Sequence, residues 1–246
     1  MRNDGVGPDA ERRQLQADLD ATRAELNQLV YSMSHDLAAP LRSVMGFAAL
    51  LKERYKGELD ADADEFLDFI AGGAEQMRMM LDGVLAVSRV VSHAGPHRPV
   101  PLADAVAESC TALGDVIERT GARVSVADGL PVVRAEPDQL VLLVRHLVDN
   151  AARFHRDGEA PVISITASVV GDEVEVAVAD RGIGIDPDAA VKVFGLFKQL
   201  HASTAFGGQG IGLALAHKIV QRHGGAIWVE PAAGGGSVFR FTLPRA

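Results

Sequence analysis

Cysteine is almost absent: Cys110 is the only one among 246 residues. It cannot close an internal disulfide, and no Cys/His spacing suggests zinc, so a reducing, cytoplasmic setting is expected. Long apolar runs are missing too. No stretch reaches the roughly 18 apolar residues of a membrane-spanning helix. The opening residues, MRNDGVGPDAERRQ, contain no apolar signal-peptide core, so no export signal is expected. Excess positive charge is absent as well. The net charge of −9 argues against nucleic acid and anionic membrane surfaces as main partners, because both need a basic face. Aromatic residues make up 5%, with Trp228 the single tryptophan. What is present is ordinary for a soluble chain: 48% hydrophobic residues, enough for one or two domains with a real core.

Residues 9–56 read as one long helix. Leu15, Leu19, Thr22, Leu26, Leu29 and Met33 follow a heptad seam with charged residues between them, which predicts a parallel coiled coil. The seam resumes at Leu37, Leu41, Val44, Ala48 and Leu51 after a shift of phase, as expected where a two-stranded coil widens into a bundle. Inside this helix the stretch YSMSHDLAAPLRSV sets His35 beside Asp36, five residues before Pro40. Proline removes a helix hydrogen bond and bends the axis. Gly57 and a burst of acids predict a turn. A second helix over 61–92 carries Phe66, Ile70, Gly73, Met77, Met80, Val84, Val87 and Val91 on one stripe. A hairpin cannot enclose its own stripe, so two copies forming a four-helix bundle are expected. Gly72-Gly73 is costly in a helix and has no reading beyond close packing or a bend.

SHAGPHRPVPL, residues 92–102, reads as a linker rich in Pro, Gly and His. Beyond it the pattern is α/β. A helix is predicted over 102–120, strands over 123–127 and 132–135, and a long helix opening at Pro137. Period-two strands VISITASV and EVEVAVAD flank Gly171-Asp172, a hairpin signal. A helix after Gly212 ends at Gly224-Gly225, and two strands close the chain. Strands do not alternate with crossover helices, so a mixed, mostly antiparallel sheet with helices on one face is expected rather than a Rossmann fold.

Four clusters in this second half can carry chemistry. Asn150 offers a neutral oxygen suited to Mg²⁺, and Arg153 a charge for phosphate oxygens. ADRGIGID sets Asp180 at a strand end, where a carboxylate can accept from an exocyclic amine, followed by Gly182 and Gly184. FGGQGIGLALAHKI leads Gly208, Gly210 and Gly212 into a helix N-terminus, an anion site without the lysine of a P-loop. Between the glycine clusters, 187–207 reads as a lid hinged by glycines and anchored by Phe194 and Phe197. Each cluster also has a plain structural reading: a polar helix face, a turn, a helix cap, core phenylalanines.

Asn150, DRGIGI, the paired phenylalanines and GQGIGLAL stand in the order of the N, first-glycine, F and second-glycine boxes. They resemble the ATP-site boxes of two-component sensor histidine kinases, within the wider group of Hsp90, gyrase B and MutL ATPases. SHDLAAPLR resembles the H box of the same kinases. The spacing from QLHAST to AIWVE is similar to the phytochrome-like type. The resemblance covers about 25–245 and implies four parts: a coiled-coil signalling linker over 1–30, a dimerisation and phosphotransfer domain over 31–93, a linker over 94–101 and a catalytic ATP-binding domain over 102–246. The implied fold is an all-α hairpin in a dimeric four-helix bundle, then an α/β sandwich of Bergerat type.

The resemblance further implies that His35 accepts a phosphoryl group from ATP, with Asp36 fixing its tautomer. Asn150 would hold Mg²⁺, Asp180 the adenine amine, Gly182 and Gly184 the adenine pocket, and Gly208, Gly210 and Gly212 the phosphates. Arg153 stands where lysine is usual. Phe154, Ile185, Lys198, Ile211 and Leu213 belong to the same boxes and are carried over as nucleotide-site residues. The implied partners are a separate response regulator receiver domain, a second copy of the chain through the hairpin and coiled coil, and a sensor domain that this chain lacks. Three positions depart from the family: His146 replaces an asparagine, Ala38 an arginine, and Ala39 a Thr or Asn that orients the water of regulator dephosphorylation. Ala39 has no polar group, so phosphatase activity is expected to be weak. His146 and Ala39 also admit a second reading, a pseudokinase that binds nucleotide without transfer. An Hsp90-type ATPase is disfavoured by the hairpin. His93, His97, His155, His217 and His223 are read as linker, helix-end or exposed residues.

Overall fold

The computed structural model describes residues 8–55, 57–58, 60–92, 95–198 and 210–246. The chain divides into two units, Met1–Ser92 and His93–Ala246. The first is a helical hairpin of α1, Pro8–Tyr55, and α2, Ala61–Ser92. α1 runs unbroken through Pro40. The turn is made by Gly57 at φ 76°, and Asp60 Oδ1 caps α2 by accepting from the Ala63 N–H at 2.9 Å. Leu41, Ala48, Leu67, Ala74 and Val90 are buried between the helices, and Lys52 pairs with Asp68 across them. Both helices keep an uncovered apolar stripe: Leu37, Val44 and Leu51 on α1, Phe66, Ile70, Met77 and Met80 on α2. A Cβ at Gly72 or Gly73 would meet nothing within 4 Å, so close packing inside the hairpin does not explain this pair.

The second unit is built on a five-stranded sheet in the order β2-β4-β5-β7-β6. Its strands are β2, Arg123–Val126; β4, Val162–Val170; β5, Glu173–Asp180; β6, Ile227–Pro231; and β7, Ser237–Pro244. β2 is parallel to β4 and every other pair is antiparallel, which is the mixed sheet expected. Period two sends Ile163, Ile165, Val174, Val176, Val178, Phe239, Phe241 and Leu243 to the buried face. α5, Pro137–Arg153, and α6, Gly212–Arg222, cover that face with Leu140, Leu143, Leu147, Ile219 and Val220. Burial of this set is the main stabilising term, at about 25 cal/mol per Å² of apolar surface removed from water.

Two expectations are corrected and a third is sharpened. The linker is partly structured: β1, Arg98–Pro101, pairs antiparallel with β3, Val132–Ala135, burying Val100 against the core. Prolines at 99 and 101 mask the strand in the sequence, yet an edge strand tolerates them. The helix read over 102–120 is two, α3, Leu102–Ala112, and α4, Gly114–Thr120, broken at the buried Leu113. His223 stands at the C-terminal end of α6, as a helix-end residue should, and it is buried there. It is 3% exposed, donates from Nδ1 to the Ile219 carbonyl at 2.8 Å and accepts the Glu136 N–H on Nε2 at 3.0 Å. His97 stacks on it with ring centroids 4.3 Å apart. Burial holds the His223 pKa below the ordinary value.

Candidate active site

On α1, His35 Nδ1 lies 3.3 Å from Asp36 Oδ1, and both side chains are about three-quarters exposed, at 76% and 75%. Adjacent helical residues diverge by about 100°, so only side-chain reach brings them together. Asp36 accepts from Nδ1–H, and this leaves the Nε2 lone pair facing outward.

In the second unit, the site is assembled around the end of β5. Asp180 is 8% exposed, and its Oδ1 accepts from Gly182 N–H at 2.7 Å and Ser237 N–H at 3.2 Å. Burial raises its pKa, and the two backbone donors oppose the rise. Among the described residues Oδ2 has no hydrogen-bond partner, so it is the oxygen available to an incoming donor. The loop beyond is held to the end of α5: Ile183 N–H donates to the Phe154 carbonyl at 3.0 Å. Glycine is required at 182, where a Cβ would fall on that carbonyl oxygen. It is required again at 236, where φ is 92° and a Cβ would fall on the Asp180 carbonyl.

α5 links this end to the glycine cluster before α6. Asn150 is half-buried on α5, and one turn earlier His146 packs against Gly212, where a Cβ would stand 3.0 Å from its Nδ1. Ile211 supplies no side-chain cap to α6. Among the described residues His146 Nε2 is buried without a hydrogen-bond partner, and burial, reinforced by Arg145 and opposed by Asp149, pushes its pKa down to about 4. Arg153 Nε donates to both carboxylate oxygens of Asp149, at 2.9 and 2.8 Å, so this cation is engaged within its own helix. The segment between the clusters begins with two short 3₁₀ turns, Pro187–Ala189 and Lys192–Phe194. Phe194 is anchored edge-on to Phe239 and against His217. The Phe197 N–H reaches the Gly210 carbonyl at 2.9 Å, joining the two ends of the stretch.

Two family models match the chain. The His Kinase A (phospho-acceptor) domain matches residues 25–92. The histidine kinase-, DNA gyrase B-, and HSP90-like ATPase matches residues 135–246. The chain belongs to the sensor histidine kinases. Cyanobacterial phytochrome A of Nostoc sp. is 41% identical over 234 residues, 95% of this chain and 30% of that protein. Phytochrome-like protein Cph1 of Synechocystis sp. is 35% identical over 234 residues, 95% of this chain and 31% of that protein. This kinase core thus spans about a third of the length of these relatives, 30% and 31%. Full-length ShkA in complex with AMPPNP shares its fold with a TM-score of 0.64 at 25% identity, over 89% of this chain and 46% of that one. These matches place the core in the phytochrome-like subgroup.

Within the kinase core, the structure brings together Asn150, Phe154, Asp180, Gly182 and Gly184 at one end of α5, with Gly210, Ile211, Gly212 and Leu213 leading into α6 beside His146. Ile185 is half-buried and Lys198 exposed. Gly208 and residues 199–207 of the expected lid lie outside the described residues. Sequence reasoning missed Ser237 and Gly236, which shape Asp180 from the far strand, and Arg156, which bonds the Gly182 carbonyl at 3.2 Å. The run Gly234-Gly235-Gly236 was the available signal, since three consecutive positive-φ glycines mark a backbone forced close to another. Among the described residues no group of three or more His, Cys, Asp or Glu could hold a metal ion. Asn150 contributes one neutral, half-buried oxygen donor there, a kind of ligand that Mg²⁺ accepts. No described helix is long and apolar enough to cross a membrane.

Proposed function

We propose that this chain is the catalytic core of a protein-histidine kinase that moves the γ-phosphoryl group of ATP to His35 and then to an aspartate of a response regulator. The observation that carries the reading is the 3.3 Å contact of His35 Nδ1 with Asp36, on a helix matched by the phospho-acceptor model. With Nδ1 occupied, Nε2 is the nucleophile. Nε2 forms a bond to the γ-phosphorus as the bond to the β–γ bridging oxygen breaks and ADP leaves. Positive charge grows on the ring and is shared with the Asp36 carboxylate, which also holds the tautomer.

Asp180 selects adenine by accepting its amine on Oδ2. The glycine segment before α6 and the uncapped N-terminal N–H groups of that helix receive the phosphates. Asn150 would hold Mg²⁺, which supplies neutralisation of phosphate charge when bound. The apolar stripe left on the hairpin supports a homodimer, because burying it against a second copy completes a bundle. The exposed Leu15, Leu19, Leu26 and Leu29 support the coiled coil over 1–30, and the exposed Met33 continues the seam beyond it. Ala39, with no polar group, supports weak phosphatase action on the regulator.

The test is incubation of the full chain with γ-labelled ATP and Mg²⁺. Acid-labile label should appear on the wild type and vanish in His35→Ala. Nucleotide binding with no label in either protein would instead establish the pseudokinase reading.

A further inference from the structure

We propose that Arg156 is a positioning residue that sets the adenine acceptor; this rests on reading Asp180 as the group that takes the adenine amine. Arg156 lies three residues past the end of α5, in a loop that is itself fixed: its carbonyl accepts from Glu159 N–H at 3.1 Å and from His155 Nδ1 at 2.9 Å. From that anchored backbone the side chain reaches two other segments. Its Nε donates to the Gly182 carbonyl at 3.2 Å. Its Nη2 occupies the space beneath Gly235, where any Cβ would collide with it.

Those two segments deliver the donors that hold Asp180. Gly182 N–H reaches Oδ1 at 2.7 Å, and Ser237 N–H, at the end of the 234–236 glycine run, reaches it at 3.2 Å. One planar guanidinium therefore braces both arms of the pincer on a single carboxylate oxygen. With Oδ1 pinned from both sides, Oδ2 is held at one orientation toward the base. Without the brace, among the described residues the loop after β5 and the β6–β7 loop are joined through Asp180 and through the close approach of Gly236 to Asp180, Arg181 and Gly184. The carboxylate then loses its fixed aim while remaining in place. The consequence is specific: recognition of the exocyclic amine weakens, and binding of the phosphates does not.

The experiment compares ADP with purine riboside diphosphate, which lacks the exocyclic amine, by calorimetry on the full chain. The variants are R156A and R156K, with thermal unfolding as a fold control. Wild type should prefer ADP. R156A should lower ADP affinity about tenfold, the scale of one lost charge-assisted hydrogen bond, and change purine riboside diphosphate less than about twofold. R156K, which keeps the charge but has no Nε, should restore part of the preference. Equal losses for both diphosphates in R156A, or an unchanged preference, would overturn the assignment. A wild type that binds both alike overturns the adenine reading of Asp180, and this assignment with it.

Discussion

Replacing His146 with asparagine should flatten the acid stability of the catalytic unit. The imidazole is packed against Gly212, its Nε2 is buried with no hydrogen-bond partner among the described residues, and its pKa is pushed from 6.5 down to about 4, chiefly by burial. The folded state therefore resists protonation while the unfolded chain takes up the proton. Stability from this group is complete above the unfolded value near 6.5 and is lost as pH falls toward 4. At 1.36 kcal/mol per unit, the full loss is on the order of 3 kcal/mol, of which roughly 2 is reached by pH 4.5. That is a large share of the roughly 5–15 kcal/mol that holds a domain together. Trp228, the only tryptophan, lies in β6, so its fluorescence reports this unit alone. Denaturant titrations at pH 7 and pH 4.5 give the loss for wild type and for His146→Asn. His223, depressed in the same direction, and Asp180, shifted the opposite way, are common to both proteins and cancel in the difference. Wild type should lose roughly 2 kcal/mol more than the variant. Equal losses would mean that His146 is protonated in the native state without penalty, and the argument from its burial would be refuted.

Two further outcomes follow from the same site. Asp180→Asn keeps an oxygen for the Gly182 and Ser237 N–H groups and removes a buried charge. The raised pKa destabilises the ionised fold as pH climbs, so the variant should melt higher at neutral pH, with the gain fading in acid. Its affinity for ADP should fall at least tenfold in calorimetry, and a variant both unstabilised and tight-binding would contradict the site. Gly225→Ala should lose about 1–3 kcal/mol in the same Trp228 titration, because a Cβ there falls on the Thr242 carbonyl and forces β6 away from β7.

The sequence determined by itself whatever depends on neighbours along the chain. The stripes of α1 and α2, the period-two strands β4 and β5, the two-residue turn at Gly171-Asp172 and the proline opening of α5 follow from short-range spacing. So do the boxes around His35, Asn150, Asp180 and Gly212, because each is a local run. Prolines 99 and 101 hid β1, since its pairing with β3 is a contact between segments more than thirty residues apart. Only the tertiary structure decided who holds Asp180. Ser237 stands 57 residues away, and it reaches the carboxylate because β5 and β7 pair in the register that sets Ala179 opposite Val238. The same holds for Arg156 beneath Gly235 and for His223 bonded to Glu136. Spacing rules act over one turn or one hairpin. The orientation of a buried carboxylate depends on donors from every strand and loop that folding brings against it.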